Sequence, residues 1–341
     1  MNKLLPILFL VLTTFSCTVY REFAIDVYKP GLISLPSDVK NVAILSRNFK
    51  FDNDTLQHYY KSGYILRKDK KNAHLNIDSI AVSNALQGLA SELEVNGVFE
   101  KVKLFPYGLI KPHRGERMAP FSSSLIRELS NSAQADILIS LEAFSYFYSE
   151  YNLPDFETPG NEVITVGIWS IIDPAEMKVI ERKSMIDTVF WDGYGEGADN
   201  KRYKLPPRIT SIKLAAEIAG GNYAKRLTPS WQKVLRMYTI PPVEDFRLAA
   251  AYLEQEEWGD AIHYWEKYTQ KKYGKLAINA SYNLALAYEM KDEFEKAQEW
   301  INYAYQAALE LKSGGDLKMI ILYKNILDKR QEELGSLAPG N

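Results

Sequence analysis

The sequence predicts an α+β domain, a mixed sheet with covering helices, followed by an all-α helical-repeat domain, and two observations carry that prediction. One pattern occurs twice at an offset of 36 residues: Leu248, Ala249, Ala251, Tyr252, Trp258, Ala261 and Trp265 are matched by Leu284, Ala285, Ala287, Tyr288, Phe294, Ala297 and Ile301. Upstream of it, strand-like and helix-like segments alternate and then give way to three consecutive strand-like runs, the order of a mixed sheet covered by helices.

The upstream elements follow from their local patterns. Val39–Ser46 is a short apolar run with Val and Ile, suited to a buried strand, and Asn48–Asn72 is polar and loop-like. Ile77–Asn96 spaces Ile80, Ala81, Ala85, Leu89 and Leu93 at three and four residues, with Asp78 near its start and Gly97 past its end, which predicts a capped amphipathic helix. Lys101–Phe105 follows as a strand, Ser122–Ser132 as a helix with capping hydroxyls, and Ala135–Tyr148 as a long strand. Glu162–Ile172 and Met177–Trp191 are two more strands, joined by the turn Asp173-Pro174-Ala175-Glu176. A helix is predicted over Ile209–Tyr238, interrupted near Gly220-Gly221 and again at Pro229. The first strand, the helix ending in Gly97-Val98-Phe99 and the Ala-Asp-Ile-Leu-Ile strand resemble, in element order over Val39–Leu141, the small α/β domain of TolB and curli-secretion lipoproteins.

In each copy of the repeat an apolar-small-x-small-Tyr helix breaks at a short polar turn, Glu256-Glu257 and then Asp292-Glu293, before a second helix. The spacing resembles the tetratricopeptide pattern, whose small residues let paired helices approach closely. The resemblance implies repeats at about 242–275 and 278–312 and a concave groove lined by one face of each first helix. The matching positions are Val243, Phe246, Ala250, Leu253 and Glu254, then Asn279, Tyr282, Leu286, Glu289 and Met290. Phe246, Leu253, Tyr282, Leu286 and Met290 form the candidate apolar floor for a peptide segment or helix. Two repeats alone leave apolar surface bare, so the groove is either a docking site or is packed internally, with a helix at Asp316–Leu334 capping the far end.

Residues 1–16 combine Lys3, an apolar run from Leu4 to Leu12 and a small, polar stretch, the form of a secretory signal too short to span a bilayer. Cys17, the single cysteine, stands where a bacterial lipoprotein signal ends, although Thr14 replaces the usual leucine of the lipobox. Acylation at Cys17 would tether the protein to a membrane through residues 17–36, a segment that starts with a short strand at Glu22–Val27, and the lack of an acidic cluster after Cys17 favours the periplasmic face over the cell surface. The expected domains are then 37–240 (α/β) and 241–335 (repeats and capping helix). With 46% hydrophobic and 25% charged residues, and 41 Lys plus Arg against 43 Asp plus Glu, the chain is ordinary globular protein with no pull toward nucleic acid.

Gly220-Gly221-Asn222-Tyr223-Ala224-Lys225-Arg226-Leu227-Thr228-Pro229-Ser230-Trp231, with the signal and the repeats, resembles a family of uncharacterised bacterial lipoproteins; that implies an architecture and no reaction. Physically, Gly220 and Gly221 permit a tight turn or close backbone approach, with Tyr223, Pro229 and Trp231 completing the motif and Trp231 anchoring the last helix. His58, His74, His113 and His263 are scattered, so no metal is expected. Asp52-Asn53-Asp54 lacks the glycine and distal glutamate of a calcium loop, and the Gly-rich Asp192–Gly197 lacks the setting of a phosphate cradle. No nucleophile or acid-base set is legible, so neither an enzyme nor a cofactor is expected. The expectation is an envelope adaptor that holds a protein or peptide. The alternative is a surface glycan-binding lipoprotein using exposed aromatics such as Phe144, Tyr146 and Tyr148.

Overall fold

Strand β2 (Asn41–Ser46) is buried on both faces and has a parallel neighbour along each edge, β6 (Lys101–Leu104) on one side and β8 (Ile137–Glu150) on the other. The computed structural model describes residues 19–33, 35–36, 38–54, 59–69, 73–111, 113–151, 159–193, 205–270 and 274–337. From β8 the sheet continues antiparallel through β9 (Gly160–Asp173) to β10 (Lys178–Asp192), giving the order β10-β9-β8-β2-β6, and a hairpin of β4 (Tyr59–Ser62) and β5 (Ile65–Lys68) joins the far end of β8. That hairpin, and the short ladder of β3 (Lys50–Phe51) with β7 (Arg114–Gly115), occupy stretches the sequence presents as loop.

Helices α1 (Ala73–Asn96) and α3 (Arg208–Ala224) cover one face over Val42, Ile44, Ile139 and Trp169; α2 (Ser123–Ala133) covers part of the other over Ala43, Leu45 and Leu138. Ser122 caps α2 by accepting from the Leu125 amide at 3.3 Å. The predicted helix over Ile209–Tyr238 is in fact α3, unbroken through both glycines, followed by strand β11 (Ser230–Ile240). Gly220 and Gly221 therefore make no turn. A methyl group on Gly220 would lie 1.9 Å from the Ala85 carbonyl oxygen, and one on Gly88 would lie 2.0 Å from that of Glu217, so α1 and α3 touch backbone to backbone. At Gly221 the nearest atom stands 3.9 Å away. We expect Gly220→Ala to lose about 2 kcal/mol or more in urea unfolding even after the gain in helix propensity, and Gly221→Ala to lose nothing. Equal midpoints for the two variants would contradict the close approach.

The chain divides into two compact units, residues 31–230 and residues through Pro30 together with those from Trp231 onward. Within the expected tether at 17–36, the short strand at Glu22–Val27 is longer than expected: it is β1 (Val19–Lys29), which pairs with β11 in the second unit because Phe23, Ile25 and Val27 alternate inward. The rest of this unit is helical: α4 (Glu244–Glu254), α5 (Trp258–Thr269), α6 (Lys275–Met290), α7 (Phe294–Glu310) and α8 (Gly314–Leu337). Ala249, Ala261 and Trp265 are fully buried in the first hairpin, as are Ala285, Ala297 and Ile301 in the second. Both polar turns have one left-handed residue at the 36-residue offset, Glu256 (φ 61°) and Asp292 (φ 57°). Each is closed by the same bond, Glu257 amide to Tyr252 carbonyl and Glu293 amide to Tyr288 carbonyl, both 2.9 Å. Lys312 (φ 52°) repeats the device before α8, where the Ser313 amide donates to the Ala308 carbonyl at 3.0 Å.

Candidate functional site

The face the repeat pattern assigns to a groove is occupied by the protein's own strand β11. Helix α6 is buried along nearly its whole length, 277–289, and two of its polar side chains, Asn283 and Glu289, bond to that strand. The Asn283 side chain receives the Thr239 amide and donates to the Thr239 carbonyl, both at 2.8 Å, taking the place of a neighbouring strand. The Thr239 hydroxyl donates to the Asn279 carbonyl at 3.4 Å. Six residues after Asn283, Glu289 holds Arg236 of β11 in a two-pronged pair, Nε to Oε2 at 2.9 Å and Nη2 to Oε1 at 2.7 Å, and accepts the Tyr323 hydroxyl of α8 at 2.7 Å. Burial and the Glu289 carboxylate together hold the Tyr323 hydroxyl well above the usual tyrosine range.

Phe246, Leu253, Tyr282 and Leu286 are accordingly core residues, 0 to 4% exposed, and Met290 is half-buried. Phe246 packs its ring 5.1 Å from that of Tyr268, and Tyr282 lies 5.2 Å from Tyr323. They do not form an open floor, because a two-hairpin array buries that face against β11 and α8. Sequence reasoning placed Asn279 and Glu289 on this face but missed Arg236, Thr239, Asn283 and Tyr323; the signal was polar side chains on a face expected to be apolar.

What stays open is one end of the groove. A cavity of about 480 Å³ lies between Val19 and Arg21 of β1, Ile240-Pro241-Pro242 where β11 ends, and Arg247, Ala250, Ala251 and Glu254 on α4. Its floor is apolar. Its rim carries two exposed ion pairs, Arg21 with Glu254 at 3.3 Å and Arg247 with Glu244 at 2.6 Å. Ala250 and Glu254 of the expected groove set line it.

The remaining sequence candidates are dispersed. Tyr223 is buried and stacks on Trp169 at 4.7 Å, while Pro229 is half-buried in the link that follows α3. Trp231 anchors no helix: it lies on β11, 68% exposed, beside Tyr28 at 5.3 Å. Phe144, Tyr146 and Tyr148 face inward at 2 to 3% exposure, with the Tyr146 hydroxyl donating to Asp78 at 2.9 Å, so they offer no stacking platform. Asp52 pairs with Arg114 at 3.6 Å and Asp54 accepts from the Ser145 hydroxyl. His113 lines a smaller pocket of about 260 Å³ with Arg47, Lys111 and Phe121, where the Arg47 guanidinium lies over the Phe121 ring and pairs with buried Glu142 at 3.1 Å. Burial pushes the Glu142 carboxyl up against the opposing pull of Arg47 and Arg182. Among the described residues no three His, Cys, Asp or Glu side chains gather as a metal site, and no helix is long and apolar enough to cross a membrane. Cys17, His58, the side chain of His74 and Tyr194–Gly197 lie outside the described residues.

One family model, described as a domain of unknown function (DUF8603), matches residues 39–238, more than half of the chain. The chain belongs to this family. A second domain of unknown function (DUF6340) matches residues 247–329, the helical hairpins. No curated protein matches the chain. Among solved structures, the chain is similar to PelC of a Paraburkholderia phytofirmans dodecamer (13% identity, 60% of this chain and 98% of that one, TM-score 0.22). It is also similar to protein XCC0632 from Xanthomonas campestris (8%, 58% and 91%, TM-score 0.26) and to lipoprotein GNA1162 from Neisseria meningitidis (10%, 46% and 88%, TM-score 0.19). At these scores none of the three bears on function.

Proposed function

We propose that the protein is a lipid-anchored, non-enzymatic adaptor of the bacterial cell envelope that docks a short extended segment of a protein partner at the open end of its helical groove. The observation that carries this reading is the cavity bounded by Arg21, Pro241, Pro242, Arg247, Ala251 and Glu254. Its apolar floor suits one or two apolar side chains, and its charged rim offers both donors and acceptors to an extended backbone. The hairpins are read as tetratricopeptide-type repeats whose central groove is filled from within, and the α/β unit as the type found in TolB and curli-secretion lipoproteins. Val19 stands two residues from Cys17, so acylation there would hold the cavity at a membrane surface, on the periplasmic side in this reading, and raise its concentration near other envelope proteins.

The test is a crosslinking pulldown with the full chain and with Ala251→Trp plus Arg247→Glu, two exposed positions whose change leaves the core intact. The reading predicts a partner that is recovered with the wild type and lost, at least tenfold, with the folded variant. A partner list unchanged by the variant would overturn it. Exposed Trp231 with Tyr28 supports a second reading, glycan binding by a surface lipoprotein; loss of glycan binding in Trp231→Ala would favour it.

A further inference from the structure

Strand β10 ends the seven-stranded sheet. Among the described residues it pairs with β9 alone, so one edge of a 15-residue strand keeps its backbone groups free. Its outward face exposes Ile186 (70%) and Phe190 (52%), and Lys183 makes no ion pair among the described residues. The strand is regular from Glu181 to Asp192, with a bulge just before, between Val179 and Glu181.

Two copies of such an edge can pair antiparallel about a two-fold axis normal to the sheet only when one residue lies opposite its own copy, because paired residues must point to the same face. Eight registers, centred on residues 183 to 190, then keep at least five opposed residues within the regular stretch. Centring on Lys183 or Asp187 sets like charges opposite each other, and centring on Ser184 opposes Glu181 to Asp187. Centring on Ile186, Thr188, Val189 or Phe190 pairs no charges. Centring on Met185 alone places Lys183 opposite Asp187, twice by symmetry, with Arg182 opposite Thr188 and Ser184 opposite Ile186. In that register the two Ile186 side chains become diagonal neighbours and cover one another.

We propose that β10 is a self-association edge, and that a second copy of this chain pairs with it antiparallel about Met185, joining two seven-stranded sheets into one. The self-complementary charge order selects the occupant: a second copy brings a carboxylate to Lys183 and a cation to Asp187, whose Oδ1 also accepts from the Asn222 side chain at 2.8 Å within the chain. The pairing uses a surface separate from the peptide-docking cavity, which lies on β1, β11 and α4.

The experiment co-expresses full-length chains carrying Ser184→Cys and Ile186→Cys and oxidises intact cells, with the unsubstituted chain as the control for Cys17. Opposed residues stand about 4.5–5.5 Å apart, within disulfide range, whereas like residues on the diagonal stand about 7–8 Å apart. The expected result is a disulfide-linked dimer when the two variants are mixed and at least fivefold less with either alone. Adding Lys183→Glu to both chains removes the dimer, and Lys183→Glu with Asp187→Lys restores it. No dimer from chains of native circular dichroism, equal yields from one variant alone, or capture of a different protein by either thiol would each overturn the proposal.

Discussion

Phe246→Glu, alone or with Tyr282→Glu, is expected to unfold the helical unit. Phe246 is fully buried and Tyr282 nearly so, each against another ring, Tyr268 or Tyr323. Truncating a buried aromatic costs about 3–5 kcal/mol, and placing a carboxylate in the space left adds several more unless it is protonated. That sum approaches or exceeds the ~5–15 kcal/mol by which a domain is stable. Circular dichroism of the full chain should therefore lose much of its helical signal at room temperature. A variant that melts with the wild type would mean that the face is open after all and that β11 does not fill it.

Glu289→Ala should cost about 3–5 kcal/mol, because it strands the Arg236 guanidinium and the Tyr323 hydroxyl in a site where the ion pair's side chains are only 7% and 2% exposed. Replacing the whole group by Glu289→Leu, Arg236→Met and Tyr323→Phe should recover most of that loss, since a buried pair costs nearly as much to desolvate as it returns. Denaturant midpoints of the single and triple variants measure the difference. A single variant within ~0.5 kcal/mol of the wild type would show that Arg236 reaches solvent and that β11 is not fixed by this network.

Legibility in the sequence followed how local the interactions are. The hairpins were readable because their cause is repeated: Ala249 and Ala285 admit close packing, and Glu256 and Asp292 turn the chain in the same left-handed conformation. The sheet's first strands were readable from buried runs such as Val42–Leu45. Strand β11 was not. Trp231, Lys233 and Leu235 point outward while Arg236 and Tyr238 are buried, a period of two, but this short run follows an Ala-rich helix and its partners are remote. One side of it is β1, some two hundred residues earlier, and the other is the amide of Asn283. The same distance hid the site. Phe246 and Tyr282 fall on one helical face, as their spacing demanded, yet only the fold shows that the face is filled from within and that Arg21, Pro241 and Arg247 border what remains open.

The central claim is that the open end of the groove receives a partner. It is tested most directly by a photo-crosslinking side chain at Ala251 of the full chain in living cells, with the same group at exposed Leu322 of α8, away from the cavity, as the comparison. The account predicts one envelope protein captured from Ala251 and absent from Leu322, and lost when Arg247→Glu is added. Identical products from both positions, or none from Ala251 in a folded, membrane-bound chain, would contradict it.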